Sequence, residues 1–357
     1  MKILVIALSG IGDALMFSPA LRLLRARHPN ATIDLLSMFP GVRDMYIRNP
    51  DVSETIFCNF IDGPLSATFA TLASLRKKKY DASMSVYPQN RWPYNLIARV
   101  IGAPIRIGHR YQHADVRSLN FLNTETVLEK TGRHNVEENV ELVRLLGVED
   151  SAIPSLQISV TGEDEAAAGA WCKRVGIQTG ERLVGVHAGS ATFKNQTRKR
   201  WSAEKYGQLG ARIAQEAPAR VLLFGGPEES MLNESIRASI GSQAFIVQTP
   251  SLMSSVALMK RCSVFVSNDS GLMHTAAALQ IPLVAIFGYT NAEELHPWKT
   301  EYTVVRKDLA CSPCFYNSPR PAQCYLPEKD FRCITGIGVE EVWQAVQRYL
   351  TKSTVKQ

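Results

Sequence analysis

The sequence predicts an α/β protein with two doubly wound parallel sheets, each flanked by helices. Short apolar runs alternate with segments of helical periodicity along most of the chain, which is typical of strands joined by helical crossovers. The alternation lapses once near the middle and then restarts. The chain has 357 residues, more than the ~250–300 at which a single hydrophobic core stops growing, so we expect two domains.

The first half of the chain contains four predicted strands. Continuous apolar runs, which are typical of parallel strands buried on both faces, cover residues 2–8, 32–37, 54–58 and 82–86. Helical spacing is found at residues 13–27, 64–78 and 91–100. This order predicts right-handed crossovers and a Rossmann-like parallel sheet in a first domain of residues 1–160.

The pattern is interrupted at residues 147–161, where acidic and small residues surround Pro154. A second Rossmann-like domain is therefore predicted at residues 161–337, and it begins with a helix at residues 163–175. Its strands are predicted at 183–187, 220–224, 245–248, 264–267 and 283–287, and its helices at 203–216, 228–240, 254–260 and 271–279.

The C-terminal part of the sequence departs from this alternation. Residues 310–334 are rich in cysteine, proline and charge and have little periodicity. Residues 338–357 contain a predicted helix at 339–350, in which the apolar side chains share one face. We expect this helix to pack back on the first domain.

The N-terminal apolar run is predicted to be a strand and not a secretion signal. It breaks at Ser9 and Gly10, and Asp13 follows where the apolar core of a signal would continue. No stretch approaches the ~18 consecutive apolar residues of a membrane span. The scattered Cys58, Cys172 and Cys262 are typical of reduced core residues, and together with the missing signal they predict a cytoplasmic protein.

Charge and composition limit the partners. The net charge of +7 and the sequence pI of about 9.0 favour an acidic partner such as a nucleotide or a phosphorylated lipid, although an ordinary basic enzyme shows the same balance. No helix-turn-helix or zinc-finger spacing occurs, so no nucleic-acid partner is predicted.

The turn after the first predicted strand is glycine-rich and ends in a carboxylate. Gly10 and Gly12 allow close approach of a ligand to a helix N-terminus, and Asp13 follows. Leu15 stands where a dinucleotide-binding turn would carry its third glycine, which argues against a nicotinamide dehydrogenase. Asp13 has two interpretations at this point, a helix N-cap or a general base.

Three further polar motifs follow strands of the second domain. The stretch from His187 to Trp201 contains Gly189 and Ser190 and then a cationic run with Lys199, which suits a diphosphate, although a solvated basic loop is the alternative. Glu229 follows two glycines after the next strand, where a carboxylate can bind a ribose hydroxyl pair.

The motif at residues 267–274 opens a helix. Its polar residues are either simple caps, through Asp269 or Ser270, or an anion site at the helix N-terminus. All of these motifs lie at the carboxyl ends of predicted strands, which is where open α/β sheets bind ligands. Their convergence favours a binding site over independent caps.

Four cysteines, Cys311, Cys314, Cys324 and Cys333, lie within 23 positions. Four thiolates can form a tetrahedral site for zinc or iron. The later spacings match no standard zinc pattern, and reduced packing or, in an oxidising setting, disulfides also explain the cysteines. The sequence leaves these interpretations open.

The motifs together resemble the ADP-heptose:lipopolysaccharide heptosyltransferases, almost from end to end. The resemblance rests on ILVIALSGIGDALMFSPALRLLR, VGVHAGS with KRW, FGGPEE, and VSNDSGLMHTAAAL with PLVAIFG, in this order and spacing. It implies a GT-B fold, in which two Rossmann-like domains face a central cleft, and inverting transfer of heptose from a nucleotide-sugar donor. The first domain would bind the acceptor and the second the donor.

The resemblance also assigns roles to residues. Asp13 matches the catalytic base, Lys199 the lysine on the donor phosphates, and Glu229 an acid near the donor ribose. The remaining donor-binding candidates are Gly189, Ser190, Asp269, Ser270, Gly271 and His274, with Gly189 at a position where some relatives carry threonine. For an acidic acceptor, the candidates in the first domain are Gly12, Arg91 and Arg110.

The leading hypothesis is an inverting transfer from ADP-heptose to a lipopolysaccharide core acceptor, an acidic glycolipid. It needs no cofactor for catalysis and is compatible with peripheral contact with the inner membrane. The cysteine-rich tail is similar to those of some protein-modifying heptosyltransferases, which keeps a structural zinc or iron open and makes a protein or another surface glycan the alternative acceptor. A non-catalytic nucleotide-sugar binding protein is the second alternative.

Overall fold

The computed structural model contains two compact units. The N-terminal unit covers residues 1–159 and the C-terminal unit continues from residue 160, so the division falls one residue from the predicted boundary. The residues that the structure describes are 1–113, 115–149, 152–316 and 321–352.

The N-terminal unit is a six-stranded parallel sheet with helices. The sheet order is β3-β2-β1-β4-β5-β6, so the order reverses between β1 and β4. The strands are β1 (Lys2–Ala7), β2 (Thr32–Ser37), β3 (Glu54–Phe57), β4 (Ala82–Ser85), β5 (Ile105–Arg110) and β6 (Glu125–Leu128). The helices are α1 (Ile11–Met16), α2 (Ser18–Arg27), α3 (Pro40–Tyr46), α4 (Leu65–Lys77), α5 (Trp92–Ile101) and α6 (Asn135–Arg144).

The C-terminal unit repeats this plan with the order β12-β11-β10-β7-β8-β9. The strands are β7 (Leu183–His187), β8 (Arg220–Leu223), β9 (Ala244–Ile246), β10 (Val264–Asn268), β11 (Leu283–Ile286) and β12 (Tyr302–Val305). The helices are α7 (Gly162–Arg174), α8 (Ala203–Glu216), α9 (Ser230–Ile240), α10 (Leu252–Met259), α11 (Gly271–Ala278), α12 (Ala292–Leu295), α13 (Arg332–Thr335) and α14 (Val339–Lys352).

Both sheets have the doubly wound order in which the chain switches sides once. The switch lies between β1 and β4 in the N-terminal unit and between β7 and β10 in the C-terminal unit. In such sheets a ligand binds at the carboxyl edge beside the switch. The fold therefore marks one edge of each unit as a candidate binding site.

The structure corrects the expected position of the last helix. We expected it on the first domain, but α14 packs on α8 and on β10, β11 and β12 of the C-terminal unit. Trp343 is buried in the same core as Trp201 and Tyr206. The guanidinium of Arg212 pairs with Glu340 and lies 5.0 Å from the centre of the Trp343 ring. An amphipathic pattern shows that a helix face is buried, but it does not name the partner.

Several elements differ from the prediction for physical reasons. The helix predicted at residues 13–27 is two helices, α1 and α2, and Pro19 lies at the start of α2, where a missing N–H is tolerated. The strands β5, β6 and β12 were missed. β5 carries Arg106, His109 and Arg110 among its apolar residues, and β6 and β12 are short edge strands with few buried residues. In the described ranges, no helix is both long enough and apolar enough to cross a membrane.

Candidate functional site

The carboxylate of Asp13 lies in the first turn of α1, at the carboxyl edge of the N-terminal sheet. The N-cap of α1 is Gly10, with φ −69° and no side-chain cap, so the N-cap interpretation of Asp13 is wrong. Burial raises the pKa of Tyr94, while the positive charge of Arg91 opposes this and the negative charge of Asp13 adds to it. Asp13 and Arg91 thus both act on the phenol of Tyr94. Gly12, which precedes Asp13 in the first turn of α1, is half-buried.

Arg110 also lies at the carboxyl edge of the N-terminal sheet. It ends β5 as an exposed residue, and its Nε lies 3.8 Å from an oxygen of Asp115. Arg110 therefore lies near Asp115, while Arg91 and Asp13 both lie close enough to Tyr94 to act on its pKa.

Two buried polar atoms beside the N-terminal switch find no hydrogen-bond partner in the described part of the chain. They are Ser9 Oγ, after β1, and Gln89 Oε1, after β4. The amide nitrogen of Gln89 donates to the carbonyl of Ile6, which fixes the side chain beside β1. Buried polar groups are almost always paired, so these two are suited to hydroxyl groups of a ligand. Sequence analysis missed Gln89, although its position after a predicted strand was the available signal.

At the switch of the C-terminal sheet, Lys199 forms a buried ion pair with Asp269. Lys199 Nζ lies 3.0 Å from Asp269 Oδ2, and the two side chains are 13% and 7% exposed. Burial alone would raise the pKa of Asp269, but the Lys199 ammonium holds it below its usual range. Asp269 follows β10, and Lys199 ends a 3₁₀ segment, Phe193–Lys199, that leads into α8. Two predicted donor-binding residues therefore meet.

Ser270 caps the helix α11, which follows Asp269. Ser270 Oγ accepts a hydrogen bond from the backbone of Met273, and Gly271 is the first residue of α11. His274 is buried in the first turns of α11, and burial lowers its pKa to about 4. It is therefore neutral at pH 7, and its Nδ1 has no hydrogen-bond partner among the described residues. Ser270 is therefore the cap of α11, and Asp269 is not; the anion-site interpretation stays a prediction.

His187 joins the motifs after β7, β8 and β10. Its Nδ1 lies 2.9 Å from Ser270 Oγ, and its Nε2 lies 3.2 Å from Glu229 Oε2. Burial would raise the pKa of Glu229, but the hydrogen bond from His187 and the nearby Arg200 hold it low. Because the carboxylate accepts, His187 Nε2 carries the proton. Sequence analysis placed His187 in a motif but gave it no role.

The carboxylate of Glu229 lies directly over Gly189. A Cβ added at Gly189 would stand 1.6 Å from Glu229 Oε1, so only glycine fits while the carboxylate keeps its place. Backbone N–H of Gly226 also donates to Glu229, at 3.2 Å. In this chain, the carboxylate occupies the space in which a threonine at position 189 would stand.

Ser190 is held by its own loop. Its hydroxyl donates to the carbonyl of Gln196 at 2.9 Å and accepts from Arg200 Nε at 3.0 Å. Arg200 also reaches Glu229, with Nη2 and Oε1 3.5 Å apart. Arg200 was part of the predicted cationic run, and the structure shows that it organises Ser190 and Glu229 instead of lying free in solvent.

A residue pair after β11 adds two buried hydroxyls. Tyr289 OH has no hydrogen-bond partner in the part of the chain that is described, whereas the Thr290 hydroxyl hydrogen-bonds Asp269 and helps to keep the pKa of that carboxyl low. Burial raises the pKa of Tyr289, and the negative charge of Asp269 contributes to this shift. Sequence analysis missed this pair, although it too follows a predicted strand.

The cysteine-rich segment packs against this side of the sheet. The backbone N–H of Cys314 donates to the carbonyl of Tyr289, and Cys333 is buried with Tyr289 and Ala322. Burial raises the pKa of Cys333 to about 11, and Cys311, Cys314 and Cys324 add to the shift. All four thiols are free. Over the described ranges, no three Cys, His, Asp or Glu side chains are grouped so that they could hold a metal ion. Cys333 is buried, whereas Cys311 and Cys314 are exposed.

Replacing Gly189 with Ala is expected to destabilise the protein by about 1–3 kcal/mol, because the new methyl group must displace the carboxylate of Glu229 from His187. The matched control is Gly162→Ala, where an added Cβ meets nothing within 4 Å. Urea unfolding of both variants measures the difference. Equal stability of the two variants would contradict the close contact between Gly189 and Glu229.

Comparison with known proteins identifies a family. Residues 69–325 match glycosyltransferase family 9 (heptosyltransferase). The chain is 32% identical to lipopolysaccharide heptosyltransferase 2 of Salmonella typhimurium over 322 residues, which are 86% of this chain and 88% of that protein.

Solved structures show the same fold. The glycosyl transferase family 9 protein of Veillonella parvula aligns with a TM-score of 0.80 at 21% identity, over 98% of this chain and 97% of the other. ADP-heptose lps heptosyltransferase II of E. coli aligns with a TM-score of 0.76 at 24% identity, over 99% of this chain and 100% of the other. The predicted GT-B class is confirmed, and so is the predicted enzyme class. The chain belongs to glycosyltransferase family 9, the heptosyltransferases.

Proposed function

We propose that the protein transfers heptose from ADP-heptose to a lipopolysaccharide core acceptor, with inversion at the transferred carbon. The buried Lys199–Asp269 pair at the switch of the C-terminal sheet carries this proposal, because it supplies a cation and an acid at the place where the fold binds ligands. The names of the curated relatives, such as lipopolysaccharide heptosyltransferase 2, support heptose and lipopolysaccharide as substrates.

The C-terminal unit is proposed to bind the donor. Lys199 neutralises the diphosphate, and the N-terminus of α11, with Ser270 and Gly271, stabilises the charge that grows on the leaving nucleotide. Glu229, held by His187, accepts from the ribose hydroxyls, and Gly189 and Ser190 line the phosphate side. Asp269 and His274 lie on the side of the donor sugar, where Tyr289 OH adds a buried group able to hydrogen-bond a sugar hydroxyl.

The N-terminal unit is proposed to bind the acceptor and to supply the base. Asp13 removes the proton from the acceptor hydroxyl as the bond to the nucleotide breaks, so one carboxylate serves the inverting step. Arg91 and Asp13 both affect the pKa of Tyr94. Arg91 is proposed to contact an acidic group of the acceptor. Gly12 and Arg110 are the other two acceptor candidates in this scheme.

No cofactor takes part in the proposed reaction, since Lys199 and α11 supply the positive charge that the leaving group requires. A structural zinc or iron at Cys311, Cys314, Cys324 and Cys333 is a separate proposal. It is supported by the closeness of the thiols, since Cys311, Cys314 and Cys324 all act on the pKa of Cys333. Metal analysis of the purified chain tests it, and less than one equivalent of zinc or iron refutes it.

The proposed location is the cytoplasm, with peripheral contact with the inner membrane, since a lipopolysaccharide acceptor is anchored in a lipid layer. The alternative acceptor is a protein or another surface glycan.

One experiment separates the acceptors. The purified chain is incubated with ADP-heptose and, in turn, with heptose-bearing lipopolysaccharide core, a protein mixture, or no acceptor, and each product is weighed by mass spectrometry. We expect a mass gain on the core glycolipid alone. A gain on protein alone would establish the alternative, and donor binding without any transfer would indicate a binding protein.

A further inference from the structure

Large exposed apolar side chains concentrate on one face of the N-terminal unit. They lie on α4, on α5 and on two 3₁₀ segments, Val116–Ser118 and Asn120–Leu122, and α5 contacts the other three. Each of these side chains is between 39% and 77% exposed. We call this surface the α4–α5 face, and its apolar members are Leu65, Phe69, Trp92, Leu96, Val100, Val116 and Phe121.

The apolar residues of α5 form a continuous stripe. Trp92, Leu96 and Val100 recur every four residues, so they share one side of the helix. The opposite side is buried through Asn95 and Ala98. A surface helix normally carries charge on its outer side, and this one carries an apolar row there.

The outer side of α4 continues the stripe. Residues 65–75 contain no charged residue, and Leu65 and Phe69 are exposed among small Ser, Ala and Thr side chains. Arg76 Nη1 donates to the carbonyl of Val100 at 2.7 Å, which fixes the end of α4 beside the end of α5. The two helices therefore present one surface. Exposed apolar patches of this kind mark sites of interaction.

The helices and 3₁₀ segments of this face carry charges of one sign. The α4 and α5 helices and the two 3₁₀ segments contain no Asp or Glu, while they contain Arg76, Lys77, Arg99 and Arg117. Lys77, Arg99 and Arg117 are exposed. A symmetric contact with a second copy would place these cations against each other without an acid from the same segments, which is unfavourable.

We propose that the α4–α5 face docks the protein on an anionic lipid bilayer, with the apolar stripe at the headgroup boundary and the cations on anionic headgroups. An exposed Trp beside aliphatic side chains and a basic rim is the composition that binds this boundary. The inference rests on the proposed location at a membrane, and it does not depend on the assignment of the donor.

The test is co-sedimentation of the full chain with vesicles, in the absence of donor and acceptor. One set of vesicles contains phosphatidylcholine only, and the other contains phosphatidylglycerol as well. We expect binding to the anionic vesicles. The double variant Phe69→Ser/Leu96→Ser is expected to bind them about tenfold or more weakly, because it removes two large apolar side chains from the surface that enters the headgroup boundary. The pair Lys77→Glu/Arg99→Glu is expected to lose the preference for anionic vesicles.

The matched control is Met231→Ser/Tyr325→Ser in the C-terminal unit, where the two side chains are 87% and 78% exposed. It is expected to bind vesicles as the unmodified protein does. Failure of the unmodified protein to sediment with anionic vesicles would overturn the inference. So would sedimentation velocity, without lipid, that shows a dimer in the unmodified protein and a monomer in Phe69→Ser/Leu96→Ser. Heptose transfer by the unmodified protein to a delipidated acceptor, without vesicles, is measured separately. If no transfer occurs, the proposed function is wrong, and the membrane inference is not affected.

Discussion

Replacing Asp13 with Asn is expected to lower the turnover number for heptose transfer by about 10²–10⁴-fold, which is the usual contribution of a positioned general base. The amide keeps the shape of the side chain but cannot accept the proton of the acceptor hydroxyl. Because Asp13 lies on the N-terminal unit and the proposed donor site on the C-terminal unit, the affinity for ADP-heptose is expected to be unchanged. Initial rates and calorimetric titration with the donor measure the two effects.

The control for this change is Asp62→Asn, which removes an exposed carboxylate from the same unit. It is expected to transfer heptose at the unmodified rate. If Asp13→Asn turned over normally, another group would have to be the base. If it lost donor affinity in parallel with rate, Asp13 would be a binding residue instead.

The second large effect is expected at Lys199. Replacing it with Met leaves Asp269 buried without its cation, and removing one partner of a buried pair costs about 3–5 kcal/mol. Domains of this kind have a total stability of only about 5–15 kcal/mol, so the change is a large fraction of it. Urea unfolding measures the loss. Lys260→Met is the matched control, because it removes a lysine from an exposed pair with Glu165, and little change is expected.

A double variant separates stability from binding. Lys199→Met/Asp269→Asn has no unpaired buried charge, so it is expected to recover most of the lost stability. Its affinity for ADP is expected to stay roughly tenfold to 150-fold below that of the unmodified protein, because a hydrogen bond to a charged group contributes about 1.5–3 kcal/mol. Full recovery of ADP affinity in the double variant would show that Lys199 does not contact the diphosphate.

The ion pair between Lys199 and Asp269 determines how the stability of the fold changes with pH. The pKa of Asp269 is lower in the folded protein than its ordinary value, so its ion pair stabilises the fold above that ordinary value. This contribution is lost as the pH falls through the lowered pKa of the folded state. The double variant lacks the carboxylate, and its stability is therefore expected to fall less than that of the unmodified protein over this acidic range.

The two parallel sheets could be predicted because most of their strands are buried on both faces and read as apolar runs. Ile3 to Leu8, for example, are almost completely inaccessible to solvent. β12 lacks this signal, since only its last residue, Val305, is buried. The unit on which α14 packs could not be predicted from the sequence. The spacing of Val342, Trp343 and Val346 shows that one face of the helix is buried, but it does not show which residues cover that face.

The candidate site could be predicted in part, because its motifs follow predicted strands. Lys199 and Asp269, 70 residues apart in sequence, are brought together because β7 and β10 are neighbours in the sheet. The role of His187 could not be predicted, since its partners Glu229 and Ser270 lie 42 and 83 residues away and the pairing depends on side-chain directions. Unpartnered atoms such as Tyr289 OH become visible only when the packing around them is known.

The most direct test of the account is the mass of a heptose-bearing lipopolysaccharide core after incubation with ADP-heptose and the unmodified protein, with released ADP quantified in the same sample. The account predicts a gain of one heptose residue per acceptor molecule and an equal amount of ADP. Release of ADP without a gain in acceptor mass would contradict it, and so would a sample in which neither substrate is consumed.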